Sequence, residues 1–307
     1  MKQLLMQIIR PFLVIFAFLI SAPSFSQGCN DAGICTFGDF GTIHIHQKQK
    51  IKAEVSYIFG LGEQQSLVNT IQLDQRFSVL KDRGQIFFRL PFTYIYGNLG
   101  HTAGLGDVTA GMEYNVFRKE ELNITVMAGG KIPSNDANKS IEGKGLPMVY
   151  QTSLGTYDLI LGAGAIIATW RIGLAYQKPF GTNENTFLHE SWPDNDEARE
   201  YFESNQLKRG DDMMLRLDKS FSAGKKNKLD AGLLAVYRLQ KDQITRDGET
   251  VSLDESDGIT INASLSYTFS MEDKGNLRLL LAAPIITRKY RADGLTRTFV
   301  FSLTYAL

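Results

Sequence analysis

Charged side chains of both signs recur at alternate positions through this sequence: Lys52 and Glu54, Asp74 and Arg76, Arg216 and Asp218. Arg89, Asp107, Glu113, Lys131, Asp230, Arg238, Arg278 and Arg288 extend the set. Acids and bases at such spacing can pair across neighbouring strands, or they can line a polar path and set its selectivity. Nucleophilic catalysis asks for other residues. The histidines are His44, His46, His101 and His189. His189-Glu190-Ser191 is contiguous, whereas a catalytic Ser–His pair meets in space from different segments. His101 has no Ser nearby in sequence that serves it. The residues therefore argue against an enzyme, and nothing in them calls for a cofactor.

Cys29 and Cys35 are the two cysteines. In an oxidising compartment the plain reading is a local disulfide. Their proximity to His44 and His46 raises a zinc alternative, but C-x5-C with H-x-H is not a standard zinc pattern.

The compartment is read from the first 26 residues. Lys2 and Arg10 give a basic start, Pro11 to Ile20 is apolar, and Ser24 and Ser26 stand at the −3 and −1 positions of a cleavage site. That is the layout of a secretory signal peptide. As a membrane anchor the core from Pro11 to Ala22 is too short, since a spanning helix needs about 20 residues. Gly28-Cys29 could be read as a lipoprotein site, but Phe25-Ser26-Gln27-Gly28 lacks the expected aliphatic residue. Cleavage removes Lys2 and Arg10 and no acid, which turns a net charge of 0 into −2. No basic block remains, so nucleic acid is an unsuitable partner.

The elements that must carry the charges are strands. Successive strand side chains point to opposite faces. In 258–270, Ile259, Ile261, Ala263, Leu265, Tyr267 and Phe269 share one face, and Thr260, Asn262, Ser264, Ser266 and Thr268 share the other. In 66–80, Ile71, Leu73, Phe77 and Val79 oppose Thr70, Gln72, Asp74, Arg76 and Ser78. Segments 228–239 and 296–307 repeat the pattern. A soluble β-sandwich also alternates, but with shorter strands. Apolar-out, polar-in alternation over roughly 9–11 residues is the signature of a transmembrane barrel. The expected strands are 50–59, 66–80, 84–96, 104–117, 121–132, 148–168, 170–180, 209–221, 228–239, 258–270, 276–288 and 296–307. Short links alternate with long ones, which assigns both ends to the periplasm and requires an even strand count.

Ionised groups are too costly to face lipid. Asp74, Arg76, Arg89, Asp107, Glu113, Arg216, Asp218, Arg238 and Arg278 are therefore the candidates for lining a lumen, with Asp107 and Arg216 first among them. Aromatic residues gather near strand ends, as in an interfacial belt. Phe92, Tyr94, Tyr96, Tyr176, Phe180, Tyr237 and Tyr290 would mark the outer rim. Phe77, Tyr114, Phe117, Trp170, Phe221, Tyr267, Phe269 and Tyr305 would mark the inner one. Lys219 breaks the apolar face near a strand end, where its ammonium can reach the interface. The largest external loop, 181–208, is acidic, with Glu184, Glu190, Asp194, Asp196, Glu197, Glu200 and Glu203. Its segment 193–204 reads as a short helix. Such loops could bind divalent cations or gate a pore, or simply be solvated. Asp254 to Gly258 hints at a calcium loop without the full spacing.

Gly104-Leu-Gly106-Asp107, running on to Tyr114, resembles the Gly-x-Gly-Asp strand of the outer-membrane family known as the meta-pathway of phenol degradation proteins. Lys131-Ile-Pro133 looks like that family's Lys-x-Pro strand ending. Leu154-Gly155-Thr156-Tyr157-Asp158 is similar to its Leu-Gly-Thr-Gly-Ser-Tyr-Asp, with two residues missing. The likeness covers about 104–180 and implies passage of small, apolar or aromatic molecules. The terminal Phe301 to Leu307 resembles the signal read by the barrel assembly machinery, although it ends in Leu rather than Phe or Trp.

The sequence thus predicts a signal peptide (1–26), a periplasmic segment with a Cys29–Cys35 disulfide (27–49) and a barrel (50–307). The fold class is all-β: a transmembrane antiparallel up-and-down β-barrel of about 12 strands in the outer membrane of a Gram-negative bacterium. Its expected partners are outer-membrane lipids, the assembly machinery and a small-molecule solute. The expected function is a passive pore or transporter. The alternative is a closed structural or surface-binding barrel that acts through its acidic loops.

Overall fold

The alternating segments become strands, and the strands close on themselves. The computed structural model describes residues 51–307 apart from 225, 272–274 and 296. The signal peptide, Cys29, Cys35, His44 and His46 lie outside the described residues. In chain order the strands are β1 (Ile51–Leu61), β2 (Leu67–Val79), β3 (Gly84–Gly97), β4 (Gly100–Leu105), β5 (Val108–Arg118) and β6 (Leu122–Ile132). Then come β7 (Ser140–Ile141), β8 (Lys144–Gly145), β9 (Tyr157–Ile167), β10 (Trp170–Phe180), β11 (Asp212–Ala223) and β12 (Asn227–Arg238). The last five are β13 (Gln243–Arg246), β14 (Glu249–Ser252), β15 (Gly258–Ser270), β16 (Asn276–Ile286) and β17 (Phe299–Ala306).

Strands β7 with β8 and β13 with β14 are small hairpins in the connections. Strands β4 and β5 are successive parts of one barrel strand along β3. The result is a closed 12-strand antiparallel barrel. Closure is by β1 against β17, with Phe59 opposite Phe301, while β2 continues into β3 with Ile71 opposite Phe92.

Burial follows the alternation. On β15, Thr260 is 1% exposed while Ile259 beside it is 42% exposed. The outward set includes Ile71, Leu73, Phe88, Phe92, Leu161, Leu174, Leu215 and Leu233. A closed cylinder with an apolar outside and every ladder bond internal is what a lipid bilayer demands of strands. The chain is an outer-membrane barrel. The short connections lie at the end that holds residues 51 and 306, and most long ones lie at the other. By that rule the first end is periplasmic and the second external.

Four expectations need correction. The strand expected over 148–168 begins only at Tyr157. Met148, Val149 and Tyr150 form a short 3-10 turn and are all buried. A barrel strand would expose alternate residues there, whereas these three are enclosed by loops. The strand expected to open at 104 begins at Gly100, so only Asn98 and Leu99 link β3 to β4. The backbone breaks at Gly106, whose N–H donates to Pro91 O at 2.8 Å. The helix expected over 193–204 is a 3-10 turn, Asp196–Glu200, which Asn195 caps by accepting the Ala198 N–H. It ends where Tyr201 is drawn into an apolar cluster. Tyr290 is not a rim residue either. It stacks on Phe202 with ring centroids 4.5 Å apart, inside the external loops.

Those loops form a cap with its own core. Leu99, Leu146, Val149, Tyr150, Phe187, Trp192 and Tyr201 are buried together with the outer ends of β2 and β3, at Val68 and Ile95. Ala137, Met148, Leu154, Leu207, Ile244, Leu253 and Ala292 form a second cluster. The tyrosine hydroxyls inside are paired. Tyr150 Oη accepts the Leu99 N–H at 3.0 Å and lies 3.1 Å from Tyr201 Oη. Gly294 seats the last loop under the 148–150 turn with φ +62, and a Cβ there would lie 2.3 Å from Val149 N. Gly294→Ala is expected to loosen the cap by about 1–3 kcal/mol of strain. The check is faster proteolysis of the external loops of the folded, detergent-solubilised protein. Unchanged cleavage would count against this packing.

Candidate functional site

The interior carries three successive layers along the strands. Nearest the external mouth is a buried ionic layer. Lys131 Nζ lies 3.3 Å from Asp107 and 3.7 Å from Asp158, and Arg209 lies 2.7 Å from Asp158. Gln177 also donates to Asp158. Asp107 reaches the cap directly, because its Oδ2 accepts the Leu154 N–H at 3.1 Å. On the neighbouring arc Arg238 lies 2.7 Å from Asp212 and 3.0 Å from Asp293, and it also pairs with Asp242. Arg288 joins Asp293 at 3.0 Å and Asp242 at 3.7 Å. Burial opposes ionisation of Asp293, yet Arg288 and Arg238 outweigh it and hold the carboxyl below the usual range. Glu63 stands nearby with its Oε1 buried. Burial pushes this carboxyl up to about 8, against the pull of Arg291. These groups tie barrel strands to cap loops, so the layer works as a fastening between the two.

Below it lies an apolar patch. Phe87, Met127, Ile160, Ala175, Met214 and Leu234 are buried on the inner face, from β3 and β6 round to β12. Arg76 lies over the Phe87 ring, 5.8 Å from its centroid. The facing wall is neutral and polar. It carries Thr260, Asn262, Ser266, Ser302, Thr304, Ser56 and Thr70. Ser56 and Thr304 hydroxyls are 2.9 Å apart, and Thr70 and Thr93 hydroxyls 3.0 Å.

Towards the periplasm comes a second charged layer. Arg76 pairs with Glu113 at 3.1 Å and Arg89 with Asp74 at 2.5 Å. Arg216 donates twice to Asp218, at 2.8 and 3.0 Å, and Arg171 stands 3.8 Å from the same carboxylate. Arg278 is 3.6 Å from Glu54. Gly232 leaves room for this arrangement, since a Cβ there would meet Asp218 Oδ1 at 2.2 Å. Each of the nine lumen candidates therefore faces inward with an opposite charge within 4 Å. Asp107 and Arg238 sit at the mouth under the cap. The other seven lie deeper in the barrel.

Sequence reasoning missed the apolar patch, because Ile160, Met214 and Leu234 are apolar residues in the polar phase of their strands. That mismatch was the available signal. It also missed Arg209, Asp242 and Asp293, whose partners come from other loops. The three motif landmarks, by contrast, meet in space: Asp107, Lys131 and Asp158 form one cluster. Outside the barrel, Lys219 lies over the Trp170 ring at 4.6 Å and donates to Thr169 at 2.6 Å, as an interfacial anchor should. His189 Nε2 is 2.8 Å from Tyr201 O, a contact within the cap. Among the described residues no three of His, Cys, Asp and Glu are arranged to hold a metal ion.

No protein-family model matches the chain, and no curated protein matches it. Solved structures do. An outer membrane channel from Pseudomonas putida F1 is 16% identical with a TM-score of 0.62, over 83% of this chain and 94% of that one. The translocator domain of autotransporter NalP from Neisseria meningitidis is 10% identical with a TM-score of 0.49, over 89% and 92%. The NanC porin is 8% identical with a TM-score of 0.46, over 83% and 98%. At these identities the likeness is one of fold.

Proposed function

We propose that this chain is a passive pore or transporter for small molecules, and that uncharged solutes with an apolar or aromatic part suit it best. The observation that carries this reading is the amphipathic interior. An apolar patch around Phe87 and Met214 faces a wall of hydroxyls, and the charged groups in the layers on either side of it stand against opposite charges. Paired charges leave little net field to concentrate ions, whereas a hydroxyl wall opposite an apolar one can pass a molecule with both characters. The likeness to the phenol-degradation family and the fold of the Pseudomonas channel support it. The test is reconstitution of the mature protein. Liposomes should swell in small neutral solutes faster than protein-free vesicles, and planar bilayers should show conductance with weak ion selectivity. Absence of both solute uptake and conductance would overturn the reading.

One observation favours a second reading, that of a closed barrel acting through its surface. The cap has a buried core and is fastened by buried ion pairs. A barrel that neither conducts nor takes up solute, with or without residues 182–207, would support it.

A further inference from the structure

The external face of the cap contains a layer that is not part of the barrel. Residues 183–187 run antiparallel to 204–207: the N–H of Asn183 donates to Leu207 O at 3.1 Å, that of Gln206 to Asn185 O at 2.7 Å, and that of Ser204 to Phe187 O at 3.1 Å. The other edge of this segment meets β13. Lys208 and Gln243 exchange both backbone bonds, at 2.8 and 2.9 Å, and Thr245 N donates to Asn205 O at 3.0 Å. Strand β14 completes the layer, with Thr250 opposite Thr245. Four short antiparallel segments thus lie side by side.

Their side chains divide by face, as strand geometry requires. Asn183, Asn185, Phe187, Leu207 and Ile244 point into the cap and are each at most 3% exposed. Glu184 and Thr186, Gln206 and Lys208, and Gln243 and Thr245 point outward and line a groove of about 670 Å³ with Asn138. The inward amides are consumed by the fold: Asn183 Oδ1 accepts the Leu207 N–H at 2.9 Å, and Asn185 Nδ2 donates to Ala137 O at 2.9 Å. Among the described residues the outward Gln206 amide and Thr250 hydroxyl make no side-chain hydrogen bond.

The chemistry of the groove selects its ligand. Its one acid, Glu184, and one base, Lys208, cancel, so it has no net attraction for phosphate, sulfate or metal ions. Ile244 is its one apolar lining residue and is 1% exposed, so the lining is mainly polar. The backbone of the central segments is already paired on both sides, so a peptide has no free ladder there to extend. What remains is a set of amides and hydroxyls, groups that both donate and accept. Thr186 Oγ1 already donates to Asn138 at 2.8 Å and Gln243 Nε2 to Ser252 at 3.4 Å, which holds both in place and leaves their remaining donor and acceptor capacity to a ligand. Such a set matches vicinal hydroxyls, which also do both.

We propose that this groove is a binding site for neutral, polyhydroxylated ligands, that is, for saccharide units at the cell surface. The same chemistry is offered by soluble oligosaccharides and by the sugars of the surrounding lipopolysaccharide. The proposal does not rest on the pore reading. The test uses the mature protein in detergent. It is titrated calorimetrically with a panel of neutral tri- to hexasaccharides, and separately with lipid-free core oligosaccharide from the producing strain. Binding by the first arm alone assigns a soluble or foreign glycan, and binding by the second alone assigns the cell's own surface. In either case the double variant Gln206→Ala, Gln243→Ala should bind roughly tenfold more weakly, from two lost hydrogen bonds. It should keep the heat-modifiable gel shift of a folded barrel and unchanged conductance. Asp196→Asn, on the exposed turn, should bind as the parent does. The proposal is overturned if neither arm binds at millimolar concentration, if the folded double variant binds as tightly as the parent, or if only peptides bind.

Discussion

Arg238→Ala should release the cap. This guanidinium is 2% exposed and meets Asp212, Asp242 and Asp293 together. Removing it leaves three carboxylates around a space that excludes water, with Arg288 as their nearest remaining cation. Breaking a buried charge pair by removing one partner costs about 3–5 kcal/mol. That loss falls on the contact between β12 and the loops, because Asp242 and Asp293 belong to connections while Asp212 and Arg238 belong to barrel strands. The barrel wall is held by its own ladder and should survive. The expected result is a protein that still shifts on heating in a gel, whose external loops are cut by protease many times faster. If the barrel is a pore, its conductance should rise as well. Arg238→Met, which keeps bulk without charge, should be nearly as damaging. Protease resistance equal to the parent's in both variants would show that the ionic layer does not hold the cap.

Acid probes the same layer. Asp293 is held below its ordinary value of 3.8 by its arginine partners. A carboxyl depressed in the folded state contributes stability above its unfolded pKa and loses it as pH falls through the folded value. The share of cap protection that Asp293 supplies should therefore begin to weaken only as pH falls below about 4, and should be lost on approach to its depressed folded value.

The second large effect is expected from Asp218→Asn. Its carboxylate accepts both bonds from Arg216 and stands near Arg171. The amide is almost isosteric but carries no charge, so two guanidinium groups lose a shared counter-ion on the inner wall. An interior whose charges cancelled then carries a local excess of positive charge, which draws anions. In planar bilayers under a salt gradient the reversal potential should move towards the anion potential. Adding Arg216→Gln should return it towards the parent's value. A conducting variant with an unmoved reversal potential would mean that this pair does not face the permeant path.

Much of this was legible in the residues. Period-two alternation marks which side chains share a face. Its length separates a membrane strand from a soluble one, because lipid thickness sets the length. The pairings Asp74 with Arg89 and Arg76 with Glu113 were legible only as a class. The sequence says that these charges face inward, but the partner depends on the stagger of one strand against the next. The stretch 148–156 reads as a strand because its mixture of apolar and polar residues runs into β9 without a break, whereas Met148, Val149 and Tyr150 form a turn. Its burial is set by loops distant in sequence.

By itself, then, the sequence determined a barrel, the inward charges and the longer external connections, because each follows from a local repeat or from the cost of polar groups in lipid. Only the tertiary structure decided that the external connections fold into a fastened cap, that an apolar patch lies between two ionic layers, and that four loop segments make a polar groove. Those features arise from contacts among segments far apart in the chain, such as Asp158 with Arg209 and Arg238 with Asp293. No local pattern encodes which distant segments will meet.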